Sequence, residues 1–459
     1  MPEYDAIILG TGQGGNPLAM ALANAGWQTA VVEQKHVGGS CINYGCTPTK
    51  AMVASARAAY DAKRAPELGV EVSDFGVHLS KVVKRKADIV KNFRDSGYNS
   101  LKDAEHLDLF LGKAHFVDRH QVQVDLNDGG TKTLTADRIF INTGAKPVIP
   151  PISGLDDVDY LDSTALMELQ EIPNHLIVLG GGYVGLEFGQ MFRRFGSEVT
   201  ILQRSDQLLP REDKDVADNI ASILQEDGIT IHLNSEAASV SKTNDGLRVT
   251  AQQKDKAFDV TGSHLLVAVG RTANTDELHL QAAGVDTDKR GNILVNERLE
   301  TNVPGIYALG DVKPGPMFTH ISYDDFRVLH ANLLEDGNAS ISGRMVPYVV
   351  FTDPQLGRVG LTEKQAQTEG TSVRVAKLPM AHVARGIETG ETRGFLKVVV
   401  DQASDTILGC AMLAAEGGEL MSMIQIAMMG NLPYTRLQNA ILAHPTYAEA
   451  LNNVFFTLE

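Results

Sequence analysis

The sequence predicts an α/β protein built twice on one plan. Three observations predict it. An apolar run breaks into closely spaced glycines at residues 6–15, the same pattern returns at 176–189, and later apolar runs also end in glycine at 144, 270 and 310. Short apolar runs bounded by glycine mark strands buried on both faces of a parallel sheet, and the Ala/Leu-rich stretches that follow have the length of helices.

The first unit is DAIILGTGQGGNPLAMALANAGWQTAVVEQ, residues 5–34. It reads strand, glycine turn, helix, strand, acid. Gly10 permits the tight turn, Gly12 lets backbone approach a pyrophosphate, and Gly15 allows close helix–strand packing. The phosphates meet the positive end of the helix, and Glu33 accepts from a ribose hydroxyl. The second unit is HLIVLGGGYVGLEFGQMFRRFGSEVTILQRSDQLLPRED, residues 175–213, with Gly180, Gly182 and Gly185 in the same places. Its second strand ends at Gln203–Arg204 instead of an acid. An acid there would repel a 2′-phosphate; a neutral amide beside Arg204 favours one, so this site leans to NADPH, with NADH as the alternative.

Two such units in one Rossmann-like chain predict a flavin and a nicotinamide exchanging a hydride. Supporting segments are IFINTGAKPVIP (139–150), which ends a strand at Thr143–Gly144, LLVAVGRTANT (265–275), which does so at Gly270, and GIYALGDV (305–312), which runs into Gly310–Asp311. Asp311 at a strand end is placed to bind a ribityl hydroxyl; the plainer alternative is a helix N-cap.

Composition bounds the rest. The 459 residues suffice for roughly three domains. A hydrophobic share of 43% supports a large core, and a formal net charge of −16 argues against nucleic acid and acidic membranes as partners. The basic run KVVKRKADIVKNFR (81–94) has helical apolar spacing and reads as a solvated helix face. The N-terminus shows no secretory pattern and no apolar run approaches a membrane span of about 20 residues, so the expected location is cytoplasmic.

GGSCINYGCTPTK (38–50) holds Cys41 and Cys46, two of only three cysteines. Residues five apart on one helix have Cα atoms roughly 8–9 Å apart, while a disulfide wants about 4.4–6.8 Å. Cys41 is therefore expected before a helix, in an extended and accessible approach. Thr47 as N-cap and Pro48 in the first turn place Cys46 just ahead of the helix's positive end, buried and poised as thiolate. A zinc site needs about four ligands, and only His36 lies near. A structural disulfide does not suit a reducing compartment. The pair reads as a redox couple. Lys50 falls on the same helix face as Cys46, and Glu187 starts the helix after the second glycine motif; the two are candidates for a pair that keeps positive charge beside the flavin.

GGSCINYGC, the two glycine motifs in this order, GIYALGDV and AHPTYAEALNN (443–453) together resemble the FAD-containing pyridine nucleotide–disulfide oxidoreductases. The resemblance runs from about residue 4 to 456. It implies an FAD-binding domain in residues 1–150 completed by a return segment at 271–345, an NAD(P)-binding domain at 151–270, and a C-terminal α+β dimerisation domain at 346–459. It implies that Cys46 is the charge-transfer thiol, Cys41 the interchange thiol, Lys50 and Glu187 the flavin-side ion pair, and Glu33 and Asp311 FAD-binding acids. It further implies that His444 and Glu449 form an acid–base dyad serving the other subunit of a homodimer. ELMSMIQIAMMG (419–430) reads as a buried, adaptable interface helix, and Cys410 as a packed core thiol. The implied activity passes electrons from NADPH through FAD and a Cys41–Cys46 disulfide to a disulfide or soft metal ion. TPTKAMVAS, VTILQRSDQLLPRED and VPYVVFTDPQLGRVG look mercuric-reductase-like, although NNVFFTLE lacks the vicinal cysteines of mercuric reductases. Dihydrolipoamide dehydrogenase and a flavin NAD(P)H oxidase or quinone reductase are the alternatives.

Overall fold

The computed structural model describes residues 3–244 and 246–459. They form two compact units. One comprises the chain up to Ala51, Val83–Val148 and Gly270–Arg344; the other comprises Met52–Val82, Ile149–Val269 and Met345–Glu459. The helix Cys46–Arg64 runs from the first into the second.

The first unit is built on a parallel sheet in the order Leu107–Asp118, Thr29–Glu33, Tyr4–Leu9, Thr131–Ile141, Ile306–Ala308. Ile7 lies between Ala30 on one side and Ile139 on the other. Tyr4–Leu9 and its partners are apolar on both faces because the sheet is covered on both. One face packs Leu18 and Leu22 of the helix Gly15–Asn24 together with Val328 and Leu329 of the helix Thr319–Leu334. The opposite face packs Ile7, Leu9, Ile139 and Ile141 with Val122 and Val124 of the strand Gln121–Leu126. The ends of the neighbouring parallel strands Tyr4–Leu9, Thr131–Ile141 and Ile306–Ala308 therefore lie together, where the glycine turn, Thr143–Gly144 and Gly310–Asp311 sit.

The second unit carries a parallel sheet in the order His264–Val267, His175–Leu179, Glu198–Leu202, Thr230–His232, and a three-stranded antiparallel sheet over Ser235–Gly262. The 265–267 run thus belongs to this sheet, and the chain re-enters the first unit at Gly270, whose φ of 145° suits glycine alone. Beyond residue 345 comes a five-stranded antiparallel sheet backed by the helix Gly417–Met429. Two dinucleotide-type sheets followed by an α+β segment match the expected fold class.

Local expectations fared unevenly. The basic run lies on the helix Leu79–Lys102, where Lys84–Asp88 and Lys91–Asp95 pair along an exposed face, while Val83, Lys86 and Val90 are buried. Cys410 is buried in the strand Ile407–Ala414, and burial pushes its thiol up to about 12. The methionine-rich helix is only half buried: Leu420, Met421 and Ile424 pack on the sheet, but Ile426 and Met429 are 69% and 65% exposed. One face is taken by the sheet and the other is apolar without a cover from this chain. Among the described residues no helix is long and apolar enough to cross a membrane.

Both glycine turns depend on an atomic close approach. A Cβ on Gly185 would lie 2.0 Å from the Gly180 carbonyl oxygen, and one on Gly15 would lie 2.3 Å from that of Gly10. Gly185→Ala is expected to destabilise by about 1–3 kcal/mol, the range for overpacking a tight contact. Chemical denaturation checks this, and an unchanged midpoint would count against the packing role.

Candidate active site

The two early cysteines lie on separate helical segments. Gly38 and Gly39 adopt φ of 101° and 62°, turning the chain into a short helix, Gly39–Asn43, that carries Cys41. The chain breaks at Tyr44–Gly45 and restarts as Cys46–Arg64, with Thr49 N–H donating to Gly45 O at 3.0 Å. Asn43 pins this turn: its Nδ2 donates to Val37 O and Gly39 O at 2.9 Å each, and its Oδ1 accepts from Arg94 Nε at 2.7 Å.

This corrects three expectations. Cys41 is helical, not extended; Cys46 opens the helix itself, so Thr47 is not its N-cap; and the exposures are reversed, Cys46 exposed and Cys41 half-buried. The left-handed glycines cause all three. They fold residues 39–43 back, and Gly45 packs against Ser40 O and Cys41 Cα, at 3.0 and 3.5 Å from its Cβ position.

Several groups act on the half-buried thiol of the pair. The Cys41 thiol is held well above the usual range, first by its hydrogen bond to Cys46, then by burial and the charge of Cys46; Thr319 and Lys50 act the other way. Burial and the neighbouring sulfur therefore favour the protonated form of Cys41. Cys46 has the amides of a helix N-terminus behind it and the Thr319 hydroxyl 3.3 Å from its sulfur. Thr319, the first residue of its own helix, escaped the sequence reading, since nothing near position 319 signals proximity to position 46. Lys50 follows one turn along the cysteine helix.

Around the first glycine turn, buried polar side chains replace free ones. Glu33 Oε2 accepts from Thr11 N and Thr11 Oγ1 at 3.1 and 2.6 Å, and its Oε1 accepts from Lys35 N at 2.9 Å. Asn142, 6% exposed, accepts from Gly15 N at 2.9 Å and donates to Leu309 O at 2.8 Å, joining two strand ends to the start of a helix. A Cβ on Gly12 would meet Asn142 Oδ1 at 2.6 Å, so that glycine is dictated by Asn142 as well as by any phosphate. An asparagine inside the apolar run IFINTG was the available signal. Thr143 and Gly144 are locked by Asn274, which donates to Thr143 O and Gly144 O at 2.9 Å each. Gly144 and Gly270 have open space where a Cβ would stand. Burial pushes the Asp311 carboxyl up, with Arg271 and Lys313 opposing.

In the second unit, Gly180 has φ of 109°, and Gly182 faces open space. Gln203 Oε1 accepts from Gly181 N at 2.9 Å and its Nε2 donates to Gln207 O at 3.1 Å, so the amide is turned inward. The Arg204 side chain is 81% exposed, with Glu236 at 4.0 Å. Glu187 is buried, and its Oε1 accepts from Phe351 N at 2.9 Å. Near the C-terminus, His444 Nδ1 lies 2.8 and 3.1 Å from the Glu449 oxygens, with most of the imidazole exposed. Both glycine turns thus lead directly into a helix N-terminus, whose amides suit dinucleotide phosphates.

Removing the Thr319 hydroxyl strips one donor from the Cys46 thiolate, so Thr319→Val is expected to raise that thiol's pKa. Alkylation followed against pH should shift its half-point upward; an unmoved profile would show that Thr319 does not stabilise the anion.

Comparison with known proteins agrees with this geometry. Residues 4–325 match the family model for pyridine nucleotide-disulphide oxidoreductase, and residues 346–455 match that for its dimerisation domain. The chain is 40% identical over 459 residues to the probable pyridine nucleotide-disulfide oxidoreductase RclA of Escherichia coli, covering 99% of each. It is 36% identical to a mercuric reductase of Streptomyces lividans, covering 98% of this chain and 94% of that one, and 33% identical to the dihydrolipoyl dehydrogenase of Bacillus subtilis, covering 97% and 94%. A solved structure of the HOCl-induced flavoprotein disulfide reductase RclA from Escherichia coli superposes with a TM-score of 0.90 at 39% identity over 99% of both chains. The chain therefore belongs to the pyridine nucleotide-disulphide oxidoreductases, as an FAD-dependent oxidoreductase that uses NAD(P)H.

Proposed function

We propose that this enzyme uses NADPH to reduce a disulfide or a soft metal ion, with Cys41 and Cys46 as the working thiols. The observation that carries this reading is the hydrogen-bonded cysteine pair with unlike sulfurs. One lies exposed at a helix N-terminus, whose amides favour a thiolate there, and the other is half-buried beside it, where burial favours the protonated form.

FAD and NAD(P)H supply the two-electron redox chemistry when bound. The first glycine turn, Glu33 and Asp311 would hold the flavin dinucleotide, and the turn Gly180–Gly185 with Gln203 and Arg204 the nicotinamide one. For a disulfide acceptor, the chain's own residues account for the remainder. Once deprotonated, Cys41 sulfur attacks one acceptor sulfur and expels the other as a thiolate. Cys46 then displaces the second acceptor thiol and closes the Cys41–Cys46 bond. The acceptor has gained two electrons from the cysteine pair and two protons, one released by Cys41 and one taken from solvent. His444, oriented by Glu449, carries the proton released by Cys41 to the departing thiolate. In this reading it acts across a homodimer. The apolar outer face of the helix Gly417–Met429, with Ile426 and Met429 exposed, supports such pairing.

The relatives divide over the acceptor. The E. coli RclA structures are described as a disulfide reductase and as a Cu(II) complex, and other relatives as mercuric reductases. A screen with lipoamide, glutathione disulfide, mercuric and cupric ions and quinones separates these, each acceptor run with NADPH and with NADH. Cys41→Ser should stop turnover with every disulfide while the purified protein stays yellow and still bleaches with NADPH. Full turnover in that variant would remove Cys41 from the mechanism and leave the oxidase or quinone-reductase alternative.

The nucleotide preference has its own test. An acid at position 203 could keep the Gly181 N–H bond while restoring negative charge beside the ribose. Gln203→Glu should therefore move the NADPH-to-NADH ratio of kcat/KM toward NADH by about tenfold, the scale of one lost favourable charge environment. An unchanged ratio would assign the preference elsewhere.

A further inference from the structure

Behind the Gly310–Asp311 turn lies a buried ionic cluster that the mechanism leaves unused. Asp325, on the helix Thr319–Leu334, is fully buried, and Lys313 is 2% exposed. One Asp325 oxygen accepts from Gly310 N at 2.8 Å and from Lys313 Nζ at 3.1 Å. The other accepts from Arg344 Nη1 at 2.7 Å, and Arg344 also reaches Asp324 at 3.1 Å. Gly310 has φ of 76°, and a Cβ there would meet Ser322 Oγ at 2.7 Å and Asn142 Nδ2 at 2.8 Å. The turn therefore has no slack, and its Gly310 amide is taken by a carboxylate.

A carboxylate taken wholly out of water is tolerated only with good partners, and removing one partner leaves an uncompensated charge. Here the partners lie on either side of the turn's descent: Lys313 two residues after Asp311, and Arg344 at the end of the unit. The charged groups facing Asp311 are Arg271, Lys313 and Asp325. Lys313 thus serves two acids at once, Asp325 by direct contact and Asp311 through its field.

We propose that Asp325, with Lys313, is a positioning residue of the FAD site: it clamps the Gly310–Asp311 turn from behind and keeps the Asp311 carboxylate aimed at the cofactor. This rests on the reading of Asp311 as an FAD-binding acid. Asp325 reaches the turn through Gly310 N–H and Lys313.

The test uses purified holoenzyme and follows FAD release, by recovery of flavin fluorescence in concentrated potassium bromide, for Asp311→Asn, Asp325→Asn and Lys313→Met. Asp325→Asn should release FAD about tenfold faster or more, the scale set by one lost charged hydrogen bond. Lys313→Met supplies a readout that packing alone does not move. Loss of the cation raises the Asp311 pKa, so the acid-induced acceleration of FAD release should move to higher pH than in the parent enzyme. If Asp325→Asn fails to fold, Lys313→Met decides. Normal release rates and an unmoved pH profile, beside fast release from Asp311→Asn, overturn the clamp and leave the cofactor reading intact. Parent-like release from Asp311→Asn itself would instead overturn the cofactor reading.

Discussion

A helix N-terminus can face a dinucleotide phosphate only if the helix begins almost on top of the strand that precedes it. In this chain that approach is made twice, with Gly15 against the Gly10 carbonyl and Gly185 against the Gly180 carbonyl. No side chain fits in either gap. The aim of each helix N-terminus follows from those two contacts, because a displaced helix would direct its amides elsewhere.

The same edge is stabilised by polar side chains turned inward. Glu33 and Gln203 occupy corresponding places after their second strands, and each accepts the backbone N–H of the residue following its turn glycine, Thr11 and Gly181. One does so as a carboxylate, the other as a neutral amide. The structural duty is common to both, so the difference in charge is free to serve nucleotide choice. Asn142 and Asp325 extend the pattern across the first unit, satisfying buried amides that no secondary structure pairs.

The cysteine pair shows how backbone geometry divides labour between identical side chains. Two left-handed glycines and a break at Gly45 set one sulfur at a helix start and tuck the other beneath it. The helix amides and Thr319 favour charge on the first; burial and the neighbouring sulfur keep the proton on the second. Two identical side chains thus meet unlike surroundings: one sulfur is exposed at a helix start and the other is half-buried.

Sequence alone determined the repeated strand–turn–helix plan, the family, the cofactors and the contact between His444 and Glu449, because each is written in short spacings between chemically distinctive residues. It also marked Cys41 and Cys46 as a couple that one regular helix cannot join. What it left open were relations between distant segments. The Cys46–Thr319 contact, the Asn142 bridge and the Asp325 cluster join residues separated by 273, 127 or 167, and 15 positions. The half-exposed face of the methionine-rich helix and the reversed exposure of the two thiols were likewise decided by packing. Local spacing fixes which hydrogen bonds and turns are available within a few residues; which side chains end up covered depends on chain that arrives later, and only the folded structure brings it there.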